Sequence, residues 1–337
     1  MRMLTVFLLL LTGAVSAQIA PSSAPLTLER ALALGPEASA TVLSARAALE
    51  AAQRTEARVA ADPASLRVDR VSAETARADA ERSLAAALAA NRVSVAGAVF
   101  DALEADTAVD VATLDAAIRE QTLQAERARL QAGAATDLDV AKAENAYRTA
   151  EATLTDATTQ RTLAHNTLAS LIGREVASVS PVVEVPALQD LDSYRQQADQ
   201  TNAGLLAARG AERLAEAQLQ AADNDFSSRS QIQDARDAHA DAQRHVGEVA
   251  RTLDLAVRGA HANAEAAAAA YRNAEAADTT AERDLAAARA RLDAGSISPL
   301  AFRSSELTRA QAAQSLQSAR HALILRIYTL EQVVAGG

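Results

Sequence analysis

The side chains best able to do chemistry are few and badly placed for it. The five histidines, His165, His239, His245, His261 and His321, show no zinc spacing such as His-x-x-x-His. With no cysteine in the chain, thiolate nucleophiles, thiolate metal sites, disulfides and a lipid on an N-terminal Cys are all excluded. Neither a phosphate-cradling glycine loop nor a nucleophile elbow occurs. Carboxylates are plentiful, but they stand three or four residues from arginines, as Glu126 does from Arg129, which is the spacing of paired charges on a helix surface. Lys142, the single lysine, follows Asp139 by three residues and is expected to pair with it. These patterns predict a protein that is not an enzyme and carries no cofactor or metal.

What would have to position such residues is a set of long helices. The sequence is 49% hydrophobic but only 2% aromatic, with no Trp. The difference is Ala and Leu, whose small or flexible side chains build thin cores between closely spaced helices. Arg2, the apolar run Leu4 to Leu11 and Val15-Ser16-Ala17 have the layout of a secretory signal peptide, with cleavage after Ala17 and export as the consequence. Beyond it, charges are expected to interrupt every apolar run before it can span ~30 Å of hydrocarbon. The 33 basic residues, less Arg2, against 43 acidic ones leave a net charge of −11, which gives no electrostatic reason to bind nucleic acid.

Proline marks the element boundaries. After the N-terminal segment it occurs only at 36, 63, 181, 186 and 299. The pattern predicts a short helix over Leu26 to Leu34, with Thr27 as N-cap and Gly35-Pro36 as its stop, and a second helix over Glu37 to Ala61. After the break at Asp62-Pro63-Ala64-Ser65, a helix is predicted as far as Gln131. That is 68 residues from Ala64, or roughly 100 Å at ~1.5 Å per residue, too long for anything but packing along other long helices. It breaks at Ala132-Gly133-Ala134 and resumes from Asp137 to Ile172. There Val140, Ala143, Tyr147, Ala150, Leu154, Ala157, Arg161, Ala164, Leu168 and Leu171 alternate steps of three and four. This is a heptad seam, suited to a coiled-coil hairpin or a helical bundle. Tyr147, Tyr271 and Tyr328 are expected to pack at helix interfaces.

The second half repeats the first. Arg129-Leu130-Gln131-Ala132-Gly133 returns 162 positions later as Arg291-Leu292-Asp293-Ala294-Gly295. The same offset relates Glu50 to Glu212, Ser65 to Ser227, Asp79 to Asp241 and Arg82 to Arg244. A constant offset implies a duplication with few internal insertions. The expected organisation is a signal peptide over 1–17, a first helical hairpin repeat over 18–174, an extended linker over 175–188 and a second repeat over 189–337. The fold class is all-α: two repeated long antiparallel hairpins, with little or no β-structure.

Two hairpins with Arg-x-x-x-Gly at the tip, an aspartate six residues on and a returning helix ending in Leu-Ile-Gly resemble the TolC-type outer-membrane efflux proteins. The opening Leu26-Thr27-Leu28-Glu29-Arg30-Ala31-Leu32 is similar as well. The resemblance implies a homotrimeric helical tunnel in the periplasm and outer membrane, a passive duct for efflux or type I secretion. It implies a periplasmic adaptor and an inner-membrane pump as partners. It assigns Ala132, Gly133 and Ala134, with Ala294, Gly295 and Ser296, to hairpin tips that meet the adaptor, and Asp139 to a tunnel constriction. From the residues alone, Gly133 and Gly295 can equally be simple helix terminators, and Asp139 a helix-N-terminal acid favoured by the dipole.

The chain departs from that family twice. The position matching Asp139 in the second half is Ala301. Where the family inserts its barrel strands, this chain has only Asp62 to Ser65 and Asn224 to Arg229, while a membrane strand needs ~9–11 residues. A second expectation therefore stands beside the duct: a periplasmic coiled-coil scaffold that does not conduct.

Overall fold

The computed structural model describes residues 25–336. The signal peptide and the cleavage site after Ala17 lie outside the described residues. Eight helices follow in order: α1 (Leu28–Ala38), α2 (Ala40–Ala61), α3 (Arg67–Gln131), α4 (Asp137–Ile172), α5 (Leu191–Thr201), α6 (Ala203–Ala222), α7 (Arg229–Asp293) and α8 (Pro299–Ala335). No strand occurs among the described residues; the only β-pairing is a bridge between Leu26 and Val179. The fold class is therefore all-α, as the proline spacing and periodicity predict.

The helices start where side chains can accept the orphan N–H groups of a first turn. Thr27, Ser39, Thr136, Asp190, Asn202, Ser228 and Ser298 each cap a helix in this way. Three boundaries differ from expectation. Helix α1 runs through Gly35-Pro36 to Ala38. Pro36 forfeits a single hydrogen bond in the last turn, so it does not stop the helix. Gly35 is needed for proximity rather than termination: a Cβ there would lie 2.6 Å from Val95 Cγ2 and 2.8 Å from Asn91 Oδ1. Helix α2 accordingly starts at Ala40 behind its Ser39 cap, and α3 starts at Arg67. Against the expectation for apolar runs, α3 holds one 18-residue window long and apolar enough to cross a membrane by composition, a third of it buried within the chain.

The long helices form an open row. Helix α3 packs between α4 and α8, and α8 packs in turn on α7. At the other end α2 lies along α3, and α6 lies between α3 and α7. The edges of the row are thus α2 and α4 on one side and α7 on the other. The heptad seam on α4 faces the row, with Ala143, Ala150 and Leu168 buried and Arg161 reaching Asp106 at 2.8 Å.

The main core lies about midway along α3, where Val95, Val99, Phe100 and Leu103 meet Leu28 and Ala31 of α1, Leu168 and Ile172 of α4, and Ile324 and Tyr328 of α8. Val179 and Val183, from the segment after α4, close it. A smaller core joins Tyr194, Ala198, Val257, Leu330 and Val334. The two are related by the sequence offset: Val95 and Val257, Leu168 and Leu330, Ile172 and Val334 are each 162 residues apart. Full burial of each such side chain contributes roughly 1.5–3 kcal/mol.

Candidate functional site

At the end of α3 the chain reverses in a Schellman motif. Gly133 N–H donates to Leu130 O at 2.9 Å, and Ala134 N–H donates to Arg129 O at 2.8 Å. Gly133 takes φ +70°, a left-handed conformation that a side chain would strain. The end of α7 repeats it: Gly295 N–H to Leu292 O at 2.8 Å, Ser296 N–H to Arg291 O at 2.9 Å, and φ +70° at Gly295. Each tip has its own lock. Arg129 Nη2 donates to Ala134 O at 3.2 Å, while Ser296 Oγ donates to Arg291 O at 2.9 Å.

Nothing lies within 4 Å of where a Cβ would stand on either glycine. Ala132, Gly133, Ala134, Ala294, Gly295 and Ser296 are all exposed. Leu138, in the first turn of α4, is 62% exposed beside them. The contacts Arg92–Glu331 (2.5 Å), Glu104–His321 (2.9 Å) and Thr107–Gln317 (2.9 Å) show that α3 and α8 run antiparallel. The end of α3 therefore lies beside the start of α8, which brings both tips to one end of the molecule. The loops 62–66 and 223–228 lie at the other end.

Asp139 is the third residue of α4 and completes a capping box. Its Oδ2 accepts from Thr136 N–H at 2.9 Å and from Thr136 Oγ1 at 2.7 Å. The Thr136 backbone bond, then its hydroxyl, hold the Asp139 carboxyl below the usual range; the nearby Lys142 and Arg129 add to this. Lys142 acts as a neighbouring charge and forms no direct ion pair with Asp139, unlike the expectation from spacing. In the second tip Ser298 caps through Ala301 N–H at 3.1 Å, with Pro299 opening the helix, so no carboxylate occupies the equivalent place.

Sequence spacing did not reveal the titratable pairs along the seams. His321, 2% exposed, stacks on Phe100 at 4.3 Å and bonds Glu104. His165 bonds Asp106 at 3.0 Å. His261 Nε2 lies 3.1 Å from Gln189 O. The partners are 217, 59 and 72 residues apart in sequence, so no local motif marks them. All three serve helix packing, and among the described residues no group of three or more His, Asp or Glu is placed to hold a metal.

Residues 64–174 match the family model described as outer membrane efflux protein. The fold agrees with solved outer-membrane channels over 92% of this chain. The Campylobacter jejuni CmeC outer membrane channel superposes with a TM-score of 0.67 at 11% identity, covering 86% of that chain. The open state of the Neisseria gonorrhoeae MtrE outer membrane channel gives 0.64 at 17% identity and 89% coverage, and the outer membrane protein VceC of Vibrio cholerae gives 0.60 at 16% and 96%. No curated protein matches the sequence. The resemblance to TolC-type outer-membrane efflux proteins thus holds: the matched segment spans the first long hairpin, and the whole described chain has the helical fold of these channels.

Proposed function

We propose that this chain is the periplasmic α-helical tunnel subunit of a TolC-like efflux or type I secretion system, a passive duct rather than an enzyme. The observation that carries this reading is the open row of long helices, matched over 92% of the chain by solved outer-membrane channels. A row with two unpaired edges cannot close on itself, and repetition by symmetry closes it into a tube. Three copies, the number implied by the family resemblance, would give a homotrimer located in the periplasm and outer membrane. The two hairpins, 18–174 and 189–337 joined by 175–188, then act as paired staves of one wall.

In this reading the tips around Gly133 and Gly295 receive the helical hairpins of a periplasmic adaptor, which couples the duct to an inner-membrane pump. Their bare glycines leave room for another backbone, and hydrogen bonding within each turn keeps the shape fixed without a partner. Asp139 lines the narrow end, one acidic side chain per subunit, because Ala301 contributes none.

The second reading, a periplasmic scaffold that does not conduct, draws on loops 62–66 and 223–228, which are too short to supply membrane strands. Mass and fractionation of the mature protein separate the two. Light scattering should report a trimer, and the native protein should sediment with the outer membrane. A monomer or dimer in plain buffer, absent from membranes, would remove the duct and leave the scaffold.

A further inference from the structure

The end of the molecule opposite the glycine tips builds the same turn twice. Asp62 Oδ1 accepts from Ala64 N–H at 2.9 Å, and Asn224 Oδ1 accepts from Phe226 N–H at 2.8 Å. Ser65 N–H donates to Asp62 O at 3.1 Å, and Ser227 N–H to Asn224 O at 3.2 Å. Leu66 N–H donates to Asp69 Oδ2 at 3.1 Å, and Ser228 N–H to Gln231 Oε1 at 2.8 Å. Each residue stands 162 positions from its counterpart. The turns lie side by side, because Arg67 and Val71 of α3 share a cavity with Arg213 and Gln220 of α6.

Within these turns three choices run against local stability. Leu66 holds the N-cap position of α3 and offers no side-chain acceptor, where the repeat has the capping Ser228. Phe226 stands where the first turn has Ala64. Neither packs within the chain: Leu66 is 67% exposed and Phe226 99%. Arg67 and Arg229 open α3 and α7, at the helix end that disfavours positive charge. Local rules broken together at one place mark a functional surface.

We infer that this end docks on a phospholipid bilayer surface, with Phe226 and Leu66 entering the boundary between headgroups and acyl chains. The contact is peripheral, since neither turn is long enough to cross. The N–H groups of Ala64, Ser65, Leu66, Phe226, Ser227 and Ser228 are already bonded within the chain, so entry leaves none of them unpaired. Charge fits the same surface. Arg58, Arg67, Arg70 and Arg229 are exposed around the two apolar side chains and meet headgroup phosphates. The carboxylates of Asp62 and Asp69 are taken up by the turns, which leaves Asp223 and Asp225 for the ammonium of a zwitterionic headgroup. Apolar side chains set among exposed cations are the pattern of an interfacial anchor. The cavity beside them is lined chiefly by charged and polar side chains and offers no apolar pocket to a protein partner. From the duct reading the inference takes only which membrane is met; a single copy carries the whole contact.

The absence of Trp makes the test direct, because Phe226→Trp is then a sole reporter. The mature protein carrying it is mixed with vesicles of phosphatidylethanolamine and phosphatidylglycerol. The expected result is that the protein floats with the vesicles and its emission shifts to the blue. Leu138→Trp, exposed at the opposite end, should show no shift. Phe226→Ala should lower the bound-to-free ratio about tenfold or more. Leu66→Ser restores the N-cap, so it should raise the melting temperature while weakening vesicle binding, a combination that a purely structural role for Leu66 would not give. Equal shifts at 226 and 138, or unchanged binding by Phe226→Ala, overturns the docking. A protein that sediments with native outer membranes but ignores vesicles also overturns it and gives Phe226 to a protein partner. Mass by light scattering separates the two readings: a trimer that ignores vesicles leaves the duct without the docking, and a monomer that binds through Phe226 leaves the docking without the duct.

Discussion

Phe100 offers the sharpest test of the packing on which a duct wall would depend. It is 1% exposed, it lies in the main core, and its ring stacks on His321 with 9° between planes. Phe100→Ala removes the ring from a core shared with α1 and with the long helices α4 and α8, whose backbones cannot readily collapse inward. The expected loss is therefore at the upper end of the range for such truncations, about 3–5 kcal/mol. Phe100→Leu keeps much of the volume but not the stack, and should lose about 1–2 kcal/mol. Phe226 is the internal control, because it is 99% exposed on the loop before α7. Phe226→Ala should change stability by less than about 0.5 kcal/mol. Urea unfolding followed by helical circular dichroism reads all three on one scale. If Phe100→Ala loses less than about 1 kcal/mol, or matches Phe226→Ala, the α3–α8 seam is not packed as described.

Glu104 gives a dependence on acid. The hydrogen bond from His321 holds its carboxyl below the usual value, against the opposing effect of partial burial. Its folded value is below its unfolded one, so its contribution is present above the unfolded pKa of about 4.3 and is lost as pH falls through the folded value. Glu104→Gln should lower stability above the unfolded pKa and converge with the parent at low pH, so that the acid limb of the stability–pH curve flattens; an unaltered acid limb would refute the pairing. Gly133→Ala and Gly295→Ala should each lose about 1–2 kcal/mol from left-handed strain alone, since no neighbour is within 4 Å, and a larger loss in thermal melts would show the tips to be packed. Gly35→Ala should be the worse of the alanine substitutions, because its Cβ enters the space of Val95 and Asn91, and a melting point equal to that of Gly133→Ala would contradict the close crossing of α1 and α3. Asp139→Asn should leave the fold intact while lowering cation preference in single-channel recordings, and unchanged selectivity would remove Asp139 from the constriction.

The elements that were legible in the sequence are those governed by local rules. Gly133, Gly173 and Gly295 terminate helices at the predicted residues because a left-handed cap is a local requirement. The α4 seam could be read because its period is local too. Gly35-Pro36 misled for a tertiary reason: the glycine serves the crossing with α3, and the proline falls late enough in α1 to be tolerated. Lys142 misled because spacing gives proximity, and the Thr136 cap had already claimed the Asp139 carboxylate. The His321–Glu104 pair was hidden by the long return of the chain from α3 to α8.

Duplication explains why so much of this chain can be alike in geometry and unlike in chemistry. A repeat of 162 residues reproduces helix lengths and turns, because those depend on caps, glycines and Ala-rich propensity that survive most substitutions. Seam chemistry is freer to diverge, since each of the two copies faces a different neighbour. Helix α3 is flanked by α4 and α8 within its own chain, so a pair such as His321 with Glu104 can form across that seam. On α7 the equivalent flank carries Leu255, Gly259, Ala262 and Ala266, and Leu255 is 70% exposed. The difference between the two halves thus follows their neighbours within the chain: α3 lies between α4 and α8, while α7 has, among the described residues, no long helix beyond α8.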